Sequence, residues 1–116
     1  MQIVERPAGA LTVLELKGRL VLGDGDDLFR DTVDRLVRMG RRDILLDLDD
    51  VTHIDSAGLG VMVSKYISLC KRGGRFKLCN VHQHTFRVLH VTKLLTVFES
   101  FDSTAAAIES FAEHRG

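Results

Sequence analysis

The spacing of apolar residues changes repeatedly along the chain, and each change marks an element. Ile3 and Val4, the turn-like Pro7-Ala8-Gly9 and the alternating Leu11-Thr12-Val13-Leu14-Glu15-Leu16 read as a β-hairpin. Gly18-Arg19-Leu20-Val21-Leu22-Gly23 reads as a further extended piece bent at Gly18, its spacing fitting strand or turn. Phe29, Val33, Leu36 and Val37 then fall on one helical stripe, with Gly40 as a left-handed cap and Arg38, Arg41 and Arg42 at its negative end. Asp43-Ile44-Leu45-Leu46-Asp47-Leu48-Asp49 has the length and character of a strand buried in a mostly parallel sheet. After it, Leu59, Met62, Val63, Tyr66, Ile67 and Cys70 predict the buried stripe of a helix that ends at Lys71-Arg72-Gly73. Arg75 to Asn80 alternates as a strand, Thr85, Val88 and Leu89 mark a short helix, and Leu95-Thr96-Val97-Phe98 reads as a last short strand. Asp102 or Ser103 caps a final helix carrying Ala105, Ile108, Phe111 and Ala112 on one face, before His114-Arg115-Gly116.

The order is therefore a hairpin, then strands and helices in alternation. That order predicts a single α/β domain over residues 1–116, its mixed sheet parallel in the C-terminal part because the later connections are too long for hairpins. In such sheets the functional surface lies at the carboxyl ends of the strands. No internal repeat, linker or low-complexity segment interrupts the pattern.

Charge narrows the classes further. Sixteen Lys and Arg balance sixteen Asp and Glu, so no basic field calls for nucleic acid. Cys70 and Cys79 fit no metal or redox spacing and read as small buried apolar residues. No apolar run approaches the ~20 residues that span a bilayer, and the strand-like start has no signal-peptide pattern, so a soluble cytoplasmic protein is expected.

The chemistry gathers between the central strand and the helix after it. Asp50-Val51-Thr52-His53-Ile54-Asp55-Ser56-Ala57-Gly58-Leu59-Gly60-Val61 places Asp55 and Ser56 at or just before a first helical turn, where free N–H groups and the dipole favour an oxygen acceptor or a negative charge. Asp55 reads first as the cap, leaving the Ser56 hydroxyl exposed. Gly58 and Gly60 each cost about 1 kcal/mol of helix propensity relative to Ala, so access or packing outweighs local stability there. Val61 falls off the expected stripe, either as an exposed apolar contact for a partner or partly buried under the neighbouring helix. Asp24, Asp26 and Asp27, with Gly23 and Gly25, form an acidic loop suited to capping the first helix; it lacks the later Glu of a calcium loop, and no metal is expected. The five histidines, His53, His82, His84, His90 and His114, show no ligand-like grouping, and His82 and His84 fit a polar face at a helix start.

Asp55-Ser56-Ala57-Gly58-Leu59-Gly60-Val61, preceded by Leu46-Asp47-Leu48 and Val51-Thr52-His53-Ile54, resembles the signature of the STAS domain family, specifically the bacterial anti-sigma factor antagonists. Gly18-Arg19-Leu20, Gly73-Gly74 before Phe76, and Lys93 to Phe98 resemble the same pattern, so the likeness runs nearly end to end. The resemblance implies a non-catalytic switch that works by protein binding. Its unphosphorylated form would bind an anti-sigma factor, itself a serine kinase, and so free a sigma factor. Phosphorylation of Ser56 would release the antagonist, and a metal-dependent serine phosphatase would reverse it. The partner-binding set it implies is Asp24, Asp55, Ser56, Ala57, Gly58, Leu59, Gly60 and Val61. ATP and divalent metal would belong to the partners, and this chain would need no cofactor, touch no nucleic acid directly and insert in no membrane. Val21 to Asp27 departs from the Asp-Ala pattern common after Gly-Arg-Leu, which points to a different partner selectivity.

Other classes fit less well. The family also supplies subunits of sensory scaffolds and membrane transport systems that bind without a phospho-switch. A hydrolase would need an elbow of the form Gly-x-Ser-x-Gly or a placed His, and neither is legible around Ser56. A nucleotide-binding module would need a Walker lysine, and the acidic loop would repel phosphate.

Overall fold

Alternation in the central strands decides the layers. A computed structural model describes residues 1–113, so the reading of His114-Arg115-Gly116 lies outside the described residues. The elements are β1 (Gln2–Ala8), β2 (Leu11–Leu20), α1 (Asp26–Arg38), β3 (Asp43–Ile54), α2 (Ser56–Lys71), β4 (Arg75–Cys79), α3 (Gln83–Val91), a single 3-10 turn (Leu94–Thr96), β5 (Ser100–Phe101) and α4 (Thr104–Glu113). They form one sheet in the order β1-β2-β3-β4-β5, with β1 antiparallel to β2 and every later pair parallel. On one face Leu14, Leu16, Ile44, Leu46, Leu48, Phe76 and Leu78 pack with Phe29 and Val33 of α1, Leu59 and Met62 of α2, and Leu89 of α3. On the other, Leu11, Val13, Leu45 and Cys79 pack under Ala107 and Phe111 of α4. Residues i and i+2 of a strand share a face, so Ile44, Leu46 and Leu48 serve one core and Leu45 the other. This is the α/β mixed sheet with an N-terminal hairpin that the alternation implies.

Four local readings are corrected. Gly18 to Leu20 is no separate piece: β2 runs on to Leu20, with register shifts between Glu15 and Lys17 and between Gly18 and Arg19. A bulge absorbs the bend that Gly18, at φ 111°, signals in sequence. The stretch Leu95 to Phe98 is not a strand. Lys93 turns left-handed at φ 64°, Leu94 to Thr96 form the 3-10 turn, and the edge strand comes later, at Ser100–Phe101. Phe98 instead plugs the larger core beside Tyr66 and Phe76, with ring centroids 5.2 and 5.8 Å away.

The helix α2 buries a face rotated from the expected stripe. Gly58, Leu59, Val61, Met62 and Leu69 are buried, Val63 and Tyr66 half-buried, and Ile67 and Cys70 exposed. Apolar residues surround this helix almost completely, so spacing alone leaves its orientation open; contact between Gly58 and β2 sets it. Ile67→Ala is accordingly expected to change stability by less than about 1 kcal/mol in denaturant unfolding. Cys79 is buried as expected, and burial pushes its thiol up to about 11, whereas Cys70 faces solvent. A thiol reagent at pH 8 should modify Cys70 in the folded protein and reach Cys79 only after unfolding, which mass spectrometry of the labelled peptides would read.

In α4 the inward residues are Ala107, Ser110 and Phe111, while Ala105, Ile108 and Ala112 face outward. The cause is Lys77. Its buried ammonium lies 3.0 Å from Ser110 Oγ and 4.7 Å from the centre of the Phe111 ring, so the helix turns a hydroxyl inward where an apolar pattern predicts Ile108. Ser103, of the two proposed caps, supplies the oxygen that accepts the Ala106 N–H at 3.1 Å. Phe29, Val33 and Leu36 of α1 are buried as expected, and Gly40, at φ 84°, closes that helix.

Candidate functional site

β2 ends at Leu20, β3 at Ile54 and β4 at Cys79, and α1, α2 and α3 start from these carboxyl ends. The site grows from the end of β3. The strand stops because Asp55, still extended at φ −118° and ψ −175°, turns its side chain back on the first turn of α2. Asp55 Oδ1 accepts the N–H of Gly58 at 2.9 Å, the contact of an N-cap. Its other oxygen, Oδ2, accepts the N–H of Leu22 at 3.0 Å, from the loop between β2 and α1. One carboxylate thus fastens two segments together. The Leu22 and Gly58 N–H groups hold the Asp55 carboxyl below its ordinary value of 3.8.

That shift fixes a pH dependence. A carboxyl depressed in the folded state contributes stability above its unfolded value and loses it as the pH falls through the folded value. The margin in melting temperature of the wild type over Asp55→Asn, which keeps a neutral cap, should therefore be full at pH 6 and shrink below about pH 3.8. A margin independent of pH would mean that Asp55 acts without its charge.

With Asp55 as cap, Ser56 is the first residue of α2 and is exposed. Its hydroxyl forms no hydrogen bond among the described residues. The two glycines that follow separate into different roles. At Gly58 a Cβ would fall far inside the radius of the Leu20 carbonyl oxygen, so only glycine lets α2 lie against the end of β2. At Gly60 a Cβ would meet nothing within 4 Å, and the residue is exposed one turn beyond Ser56 on the same face of the helix.

Of the proposed contact residues, Asp24, Ser56 and Gly60 are exposed and Asp55 and Ala57 half-exposed. Gly58, Leu59 and Val61 are buried, Leu59 and Val61 at 8% and 5% exposure. Val61 is therefore no surface contact; it points into the larger core because Gly58 draws that side of the helix onto the sheet.

The acidic loop does not cap α1 through its side chains. Gly25 occupies the N-cap at φ 134°, and Asp26 Oδ1 accepts the N–H groups of Gly23 and Asp27, both at 2.9 Å. Asp24 faces the amino group of Met1 at 3.2 Å, and Asp27 pairs with Arg30. The loop also displays Leu22, 74% exposed, in the stretch where the sequence pattern does not separate strand from turn. Its signal was an apolar residue between a strand end and an acidic, glycine-rich turn. On the neighbouring element, His82 Nε2 lies 2.6 Å from Asp49 Oδ1, and the rings of His53 and His84 meet edge to face at 6.0 Å.

Comparison with known proteins gives the same assignment along the chain. The family profile described as STAS domain matches residues 2–107. A Thermotoga neapolitana protein named as an anti-sigma factor antagonist homolog of TM1081 is 37% identical over 83 residues, 71% of this chain and 74% of its own length. The anti-sigma F factor antagonist of Paenibacillus polymyxa is 26% identical over 105 residues, 90% of this chain and 89% of its own. The crystal structure of TM1081 from Thermotoga maritima superposes with a TM-score of 0.87 at 29% identity, covering 93% of this chain and 92% of that one.

Proposed function

The chain belongs to the STAS domain family, with relatives named as anti-sigma factor antagonists, and from that premise we propose that it is an antagonist of this kind switched by phosphorylation of Ser56. The observation that carries the proposal is the division of labour at the start of α2: Asp55 takes the capping bond and leaves the Ser56 hydroxyl exposed and unpaired among the described residues. Unphosphorylated, the surface around Ser56 binds an anti-sigma factor that is also a serine kinase, and the sigma factor is freed. This chain supplies the binding surface and the acceptor oxygen and performs no catalysis.

The transfer reaction suits the geometry. Ser56 Oγ attacks the γ-phosphorus of ATP held by the kinase, ADP leaves, and the hydroxyl proton passes to a base on the kinase. Gly60 leaves room for the approaching active site. The product carries about −1.5 to −2 charges at a helix N-terminus, where the N–H groups and dipole accept negative charge, so the fold survives modification. A metal-dependent serine phosphatase restores the hydroxyl.

The test is a capture experiment from lysate of the source organism, with Ser56→Ala as bait and Ser56→Asp as control. Recovery of a serine kinase with an ATPase-type domain on the alanine bait alone is the expected result. Recovery of a membrane transporter or a large sensory scaffold equally on both baits would replace the switch with constitutive assembly.

A further inference from the structure

Leu22 stands out among the exposed apolar residues because its backbone is fixed while its side chain is not buried. Single surface leucines are common and by themselves carry no meaning. Here the loop is tied on every side. The N–H of Asp24 donates to the Val21 carbonyl at 3.0 Å, and that of Gly23 to Asp26 Oδ1 at 2.9 Å. Gly25 packs so closely on the Arg19 carbonyl that a Cβ there would lie 2.5 Å from its oxygen. The N–H of Leu22 itself is held by Asp55, the residue before Ser56. An apolar side chain at 74% exposure is thus presented in a set position beside the proposed phosphorylation site.

We propose that Leu22 is the apolar anchor of the partner-binding surface and determines which anti-sigma factor this chain accepts. The inference rests on the Ser56 reading and adds the chemistry of the partner. The occupant it calls for is a protein surface with an apolar pocket for one leucine side chain, edged by a lysine or arginine. The cation is argued from charge: Asp55 accepts two N–H groups but forms no ion pair among the described residues, so its negative charge lies open at the edge of the Leu22 contact. Preorganisation strengthens the case, because a loop already tied down loses little further entropy when the leucine is buried. Leu22 also takes over the apolar role that sequence spacing assigns to Val61, which is buried.

The experiment titrates the kinase captured on Ser56→Ala, purified, against the wild type, Leu22→Ala, Leu22→Met, Val91→Ala and Ser56→Asp. Val91, on α3 and 73% exposed, controls for apolar truncation as such. Leu22→Ala is expected to weaken binding about 10- to 100-fold, the worth of burying one leucine, with Leu22→Met within a few-fold of wild type and Val91→Ala unchanged. Melting temperatures of both Leu22 variants should match the wild type, because the Asp55 contact uses the backbone N–H. If Leu22→Ala binds within twofold of wild type while Ser56→Asp does not bind, the anchor is wrong and the switch stands. An equal loss in Val91→Ala, or a lowered melting temperature in Leu22→Ala that accounts for its weaker binding, would also overturn it. Equal recovery on both Ser56 baits, or capture of no kinase, overturns the switch and the anchor together.

Discussion

Ser56→Asp is expected to fold as the wild type does and to lose at least about two decades of affinity for the anti-sigma factor, while Ser56→Ala binds as well as the unmodified protein. The fold is spared because the substitution puts a carboxylate at the first position of α2, where a negative charge is neutral to favourable by about 0.3–1 kcal/mol. Asp55 keeps its bonds to Leu22 and Gly58, since neither involves the Ser56 side chain. Binding suffers because the interface must cover a second carboxylate beside Asp55 that has no counter-charge of its own, and burying an unpaired charge costs several kcal/mol. A carboxylate brings one charge where a phosphate brings nearly two, so phosphorylated protein should bind more weakly still than Ser56→Asp. Titration of all four forms against the purified kinase, with circular dichroism to confirm the fold, checks both halves of the expectation. Equal affinity of Ser56→Ala and Ser56→Asp would remove the switch.

How much of this was legible in the sequence depends on what each residue answers to. The parallel core strands and the cap at Asp55 follow from local pattern: the apolar run of β3, the alternation of β4, and an aspartate three residues before Gly58. Readings that turn on tertiary partners fail instead. The face of α2 depends on a glycine meeting the Leu20 carbonyl, and α4 turns Ser110 inward to meet a buried lysine from β4. Neither partner lies near in sequence, and the apolar periodicity of α2 and α4 is too even to overrule them. The site shows the same split. The capping by Asp55 and the exposure of Ser56 were readable from their own motif, but the tie between Asp55 and Leu22 spans 33 residues and joins two loops. No spacing rule reports it, and for that reason the spacing around Leu22 leaves strand and turn unseparated.

The two glycines of the motif turn this distinction into an expected result. Gly58→Ala should destabilise the protein by about 3 kcal/mol, lowering the melting temperature by about 10–20 °C, because the added methyl meets a backbone carbonyl of β2 that no rotamer change can move. The gain of about 1 kcal/mol in helix propensity offsets only part of that overlap. Gly60→Ala, two residues on in the same helix, meets open space and should stabilise by about 0.5–1 kcal/mol. Its cost should fall on function: the methyl occupies the exposed turn beside Ser56 where the kinase must approach, so phosphorylation by the captured kinase should slow while stability rises. Denaturant unfolding and a phosphorylation time course on the two variants separate the roles. Equal destabilisation of both would show that α2 is held by its propensity and not by the Leu20 contact. A Gly60→Ala protein phosphorylated at the wild-type rate would mean that the open space at Gly60 has no part in admitting the partner.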